Sequence, residues 1–175
     1  MNLKKTIAGA FVALIPSLAL AHVTLEPRTA PSGEYAKLTF RVPHGCDGSA
    51  TRKLTVRLPE GSVSVKPQVH PGWKITTKKV KLAQPITLHG KAITETISEV
   101  SWQGGPLEDQ YMDEFGISLK LPNQAGEVLV PVIQDCQKGT VRWVEAASKE
   151  EGAAKPQFPA PVLTLTTTSP VHSGH

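Results

Sequence analysis

The chain has 175 residues with 19 basic and 15 acidic side chains, a length that suits one domain with a single core. Residues 22–175 carry 17 basic and 15 acidic residues with no long basic run and few aromatics, so nucleic acid and anionic membrane surfaces are poor partners. Two cysteines and two methionines leave little sulfur for soft-metal chemistry.

The first stretch, "MNLKKTIAGAFVALIPSLALA", has the parts of a secretory signal. Lys4 and Lys5 form its positive end, and an apolar run extends from Ile7 to about Leu20. The small-x-small pattern Ala19-Leu20-Ala21 follows. The run contains Pro16 and is shorter than the ~20 residues that a spanning helix needs, which argues against an anchor. The expectation is export to the periplasm, with residues 1–21 removed and His22 as the first residue of the mature chain.

Beyond the leader the sequence reads as short strands punctuated by turns. "YAKLTFRVP" places Leu38, Phe40 and Val42 on one face at period two, and "KLTVRLP" does the same with Leu54, Val56 and Leu58. "VSVK", "WKITTKKV", "ITLHG" and "AITETISEVSW" follow as further candidates. "FGISLKLP" repeats the pattern with Phe115, Ile117, Leu119 and Leu121. Pro43, Pro59 and Pro122 close three of these strands, because proline has no N–H to give to a ladder. "EVLVPVI", "TVRWVEAA" and "VLTLTTT" complete the set. No long segment has helical periodicity. The expected fold is all-β: an antiparallel sandwich of immunoglobulin or cupredoxin type spanning residues 22–168. Residues 148–161 are charged and proline-rich and read as a surface loop. Residues 169–175, "SPVHSGH", read as a disordered tail.

Cys46 and Cys136 are expected to pair, since an exported protein meets an oxidising compartment. A pair of thiolate metal ligands is the alternative, but neither CxxC spacing nor a nearby histidine marks one. The chain has no G-x-S-x-G elbow, phosphate-binding glycine loop or H-E-x-x-H helix, so the familiar hydrolytic and nucleotide chemistries are absent. His44, His70 and His89 are scattered without ligand spacing; His172 and His175 lie in the tail, where they could gather metal only loosely.

His22 is different, because cleavage would give one residue two ligands. Its free α-amine and imidazole Nδ1 can close a chelate ring on a single ion. Two nitrogens suit Cu(II), which leads the divalent affinity order and favours tetragonal N/O sites. A carboxylate would offset the ion's charge, and acidic residues concentrate in "WQGGPLEDQYMDEF" as Glu108, Asp109, Asp113 and Glu114. Pleating sends Asp113 and Glu114 to opposite faces, so at most one faces a given ion. Trp73, Trp102 and Trp143 read as core residues by default, Trp143 least obviously, since Arg142 and Val144 flank it.

Taken together, "AHVTLEP", "SGEYAKLTFRVPHGCDGSATRKLTVRLPEG", "PGWKI", "VSWQGGPL", "YMDEFGISLKLP" and "QDCQKGTVRW" resemble the YcnI-like family, a bacterial domain associated with copper. The resemblance runs from His22 to about Thr168. It implies a β-sandwich that binds Cu(II) through a mono-histidine brace, in which the first mature residue gives amine and imidazole. An acidic side chain and a nearby tryptophan complete the arrangement. Carried over, the brace is His22 and the tryptophan is Trp143. Glu114 and Glu108 compete for the acidic position, with Glu114 preferred and Asp113 standing beside it. The expected role is non-enzymatic copper handling as a chaperone, buffer or delivery factor, with a separate copper chaperone or a membrane copper transporter as partner. A copper oxygenase recruiting His44, His70 or His89 to a two-histidine brace, and a metal-free adhesion sandwich, are the alternatives. Met112 is the only methionine after residue 21, which excludes a methionine-rich Cu(I) site.

Overall fold

Period-two alternation of apolar and polar side chains gives each strand one face to bury, and the computed structural model shows how those faces meet. It describes residues 22–148 and 152–167. The expected leader (1–21) and tail (169–175, with His172 and His175) lie outside the described residues. Twelve strands follow in chain order: β1 (Thr24–Glu26), β2 (Thr29–Pro31), β3 (Tyr35–Val42), β4 (Thr51–Arg57), β5 (Val63–Pro67) and β6 (Trp73–Leu88), then β7 (Lys91–Leu107), β8 (Asp113–Lys120), β9 (Gly126–Leu129), β10 (Val132–Cys136), β11 (Thr140–Trp143) and β12 (Val162–Thr166). There is no helix among the described residues.

The strands form a four-stranded sheet ordered β1-β3-β8-β5, a five-stranded sheet ordered β11-β10-β4-β7-β6, and a small sheet ordered β2-β12-β9. Pairing is antiparallel except between β2 and β12. Register stacks the apolar rows. Phe40 opposes Phe115 and Leu38 opposes Ile117 in one sheet, while Leu54 opposes Trp102 and Val56 opposes Val100 in the other. All eight are fully buried and belong to one continuous core. Burying each aromatic or leucine contributes roughly 1.5–3 kcal/mol, so these facing rows hold the two sheets together. Trp102 keeps its indole N–H satisfied by donating to the Gln68 carbonyl at 3.0 Å.

Cys46 and Cys136 form a disulfide with Cα atoms 6.0 Å apart, joining the loop after β3 to the end of β10. Two strand readings change. "WKITTKKV" and "ITLHG" are parts of one long strand, β6, which tolerates Pro85 because the register shifts between Lys81 and Ile86. It returns through His89 and Gly90, both with positive φ, as a tight hairpin turn requires. "EVLVPVI" is two strands in different sheets. Pro131 breaks the ladder, and the chain crosses at Val130, whose N–H donates to the Pro161 carbonyl.

Candidate metal centre

His22 lies two residues before the start of the edge strand β1, where Thr24 pairs with Arg41 of β3. Its ring is half-buried and meets Trp143 edge-on, with centroids 5.5 Å apart and planes at 83°. Trp143 ends β11, opposite Val132. It is 2% exposed, so the default core reading holds even for the tryptophan flanked by Arg142 and Val144. Arg142 and Val144 take the outward face while the indole turns in. On its other side Phe158 packs at 5.6 Å. The segment carrying Phe158 is tied back to Glu145: the Glu145 carboxylate accepts from the Phe158 N–H at 3.0 Å, and its carbonyl accepts from Ala160 N–H at 2.9 Å. A cavity of about 310 Å³ opens between β1 and this segment, lined by His22, Arg28, Pro159, Pro161 and Val162 among others.

Gln134 fixes the indole. An indole N–H can only donate, so the Gln134 amide must present its oxygen, which accepts from Trp143 Nε1 at 3.2 Å. The amide nitrogen then donates to the Thr51 hydroxyl and to the His44 carbonyl, both at 2.8 Å. Gln134 is 1% exposed and Thr51 fully buried, so rotating any member leaves a polar group unpaired in the core at about 1–3 kcal/mol. The disulfide abuts the same network. Cys46 Sγ lies 3.7 Å from the Gln134 carbonyl, and Cys136 Sγ lies 3.7 Å from the Thr51 hydroxyl. The tryptophan facing His22 is therefore held from below by a satisfied amide and a covalent cross-link.

The carboxylates are engaged elsewhere. Glu114 opposes Arg41 in the β3–β8 ladder and bonds its Nε at 3.2 Å, both side chains being about half exposed. Register puts Thr24, Arg41 and Glu114 in one row across the sheet, so Glu114 stands two strand spacings, roughly 10 Å, from β1. Asp113 points the opposite way, as pleating demands, and bonds His70 Nε2 at 2.7 Å. Glu108 is exposed beside the disulfide, lining a separate cavity with Asp47, Ser49 and Lys138. His22 and Trp143 are thus brought together, whereas Glu114, Glu108 and Asp113 each have other neighbours. Among the described residues no three His, Cys, Asp or Glu side chains converge as a ready-made metal cage.

The other histidines among the described residues also have partners of their own. His44 Nδ1 bonds the Gly45 carbonyl at 2.6 Å, and His89 Nε2 lies 3.5 Å from the Tyr35 hydroxyl. His70 packs on Phe115 at 4.6 Å and near Trp73 at 6.0 Å. Sequence reasoning passed over Gln134, though a signal was present. Val130, Val132, Gln134 and Cys136 share a period-two row, and an amide on an apolar row implies a buried partner.

Chemically, the donor set at His22 suits a metal that takes nitrogens from one residue. The imidazole is available now; the amine exists only if the chain begins at His22. Trp143, buried beside the imidazole, contributes an apolar wall to it.

Among solved structures, the chain is similar to a protein from Nocardia farcinica whose crystal structure is described as an uncharacterized protein with an immunoglobulin-like fold. The two are 28% identical with a TM-score of 0.63, covering 83% of this chain and 99% of that one. No curated protein matches. The family model described as "Domain of unknown function (DUF1775)", the family to which YcnI-like proteins belong, matches residues 22–165. With nearly all of the described residues inside that match and an immunoglobulin-like sandwich around them, this chain belongs to the DUF1775 family.

Proposed function

We propose that this domain binds Cu(II) as cargo through His22 and serves copper handling outside the cytoplasm, without catalysing a reaction. One observation carries the reading: the residue that follows the cleavage pattern is the residue set against a buried, hydrogen-bonded tryptophan. Removal of residues 1–21 would free the His22 amine beside its own imidazole, and the two nitrogens would chelate one ion. Trp143 would then exclude water from one side of the ion and hold the imidazole's orientation.

Glu114 remains the preferred carboxylate on energetic grounds. Its pair with Arg41 is half exposed, and such pairs contribute only about 0–1 kcal/mol. Exchanging Arg41 for a doubly charged ion therefore costs little. Glu108 forms no ion pair among the described residues but lies beside the disulfide, on another cavity. The non-catalytic reading is supported by His44, His70 and His89, each of which has a separate partner. A partner that receives or supplies copper, either a copper chaperone or a membrane transporter, follows from a cargo role.

The test compares protein beginning at His22 with protein carrying one additional N-terminal residue. The chain beginning at His22 is expected to bind Cu(II) more than about a hundredfold more tightly, exceeding the effect usual for groups outside the ligand set, with a distinct EPR spectrum. Equal affinities and identical spectra would reject the brace.

A further inference from the structure

The near-balanced charge of residues 22–175 hides a segregation. Between Trp73 and Lys91 the chain carries Lys74, Lys78, Lys79, Lys81 and Lys91 and no acidic residue, while the rest of residues 22–175 has 12 basic against 15 acidic residues, a net of −3. Four of these lysines lie on β6, the edge strand of the five-stranded sheet, and Lys91 opens β7. All five are exposed, and none forms an ion pair among the described residues. Glu99, which opposes Lys78, bonds Arg57 instead at 3.5 Å, leaving Glu95 opposite Lys81 as the nearest counter-charge in register.

The hairpin also outruns its sheet. β4 pairs with β7 only over Glu99–Leu107, so Lys91–Ser98 have β6 as their sole ladder partner among the described residues. Val80, between Lys79 and Lys81, is 39% exposed. It borders a cleft of about 300 Å³ shared with Leu58, Leu82 and Ile97. Lysines do guard edge strands against pairing with other chains. That role, however, needs neither an exposed valine among them nor the absence of every carboxylate over such a length.

We propose that the β6–β7 hairpin docks on a bilayer containing anionic phospholipid. The cation type selects this occupant. Fixed carboxylates on a protein partner are best matched by arginine forks, yet Arg28, Arg41, Arg52, Arg57 and Arg142 all lie outside the hairpin strands. Lysines on flexible stems suit headgroups that move to meet them, each contributing about fivefold in affinity near such a surface. The inference stands on charge placement alone and is independent of any metal.

The test is sedimentation of the chain beginning at His22 with vesicles of phosphatidylglycerol mixed with phosphatidylcholine, and with phosphatidylcholine alone. Binding is expected only to the anionic vesicles and should weaken as salt rises. Combining Lys78→Gln, Lys79→Gln and Lys81→Gln should lower it roughly a hundredfold. The charge-matched set Lys37→Gln, Lys66→Gln and Lys138→Gln should lower it several-fold at most. Equal losses from both sets, equal binding to both vesicle types, or no binding to either would overturn the proposal. So would hairpin-dependent capture of an acidic protein without vesicle binding. The salt series and vesicle comparison on the unaltered chain decide the matter even if a triple variant fails to fold.

Discussion

The His22–Trp143 corner and the lysine hairpin are built on opposite physical plans. At the corner a half-buried ring meets an indole whose N–H, amide partner and hydroxyl neighbour are all bonded within a buried network. On the hairpin, five exposed lysines form no ion pair among the described residues, on strands that extend past their sheet. A preorganised corner gains selectivity from a few groups that cannot be exchanged. A diffuse cationic surface gains affinity from many groups that can. Substitutions should therefore act steeply at the first region and gradually at the second.

The largest break in stability is expected from removing the disulfide. A cross-link over a sequence separation of 90 stabilises by about 4–5 kcal/mol in the chain-entropy model. Combining Cys46→Ser with Cys136→Ser should lower urea stability by most of that amount. It should also loosen the Gln134 network, leaving the folded fraction's hairpin charge untouched. Next comes Gln134→Met, which keeps the side chain's length but removes the acceptor of the Trp143 N–H. A loss of about 1–3 kcal/mol in denaturation is expected. The ring-current shift that Trp143 imposes on the His22 imidazole protons should shrink as well, read by NMR on metal-free protein. An unchanged shift would reduce Gln134 to a stabilising role only.

Glu114→Gln sharpens the contrast at smaller scale. Loss of the half-exposed Arg41 pair should cost less than about 1 kcal/mol, while Cu(II) affinity should fall about tenfold or more if Glu114 completes the site. The parallel Glu108→Gln should leave affinity unchanged. The smallest effect on stability belongs to Lys78→Gln with Lys79→Gln and Lys81→Gln, within about 0.5 kcal/mol by thermal unfolding.

Much of the sandwich was legible because burial leaves a period-two imprint. Leu38, Phe40 and Val42, or Phe115, Ile117 and Leu119, could hardly face the core any other way. The short edge strands β1 and β2 left no such imprint, being three residues each. Pro85 split β6 on paper because nothing local reveals that a register shift absorbs it. The site was half legible. His22 stood out through the cleavage pattern, and Trp143 through a resemblance. Their contact depends on β11 pairing with β10 and on Phe158 closing from behind, which no local window contains. The partner Arg41 for Glu114 is likewise set by long-range register, and His70 reaches Asp113 from the connection between β5 and β6. The total charge misled in a different way, since a sum has no positions. Counting by strand rather than by chain separates the lysines of β6 and its turn from the acidic remainder.

The central claim concerns where copper binds, and a Cu(II)-bound structure of the chain beginning at His22 tests it most directly. The account predicts the ion held by the α-amine and Nδ1 of His22, each at about 2.0 Å as is usual for metal–imidazole bonds, beside the Trp143 ring. Copper bound instead at His70 and Asp113, or at the tail histidines His172 and His175, with the His22 amine free, would contradict it.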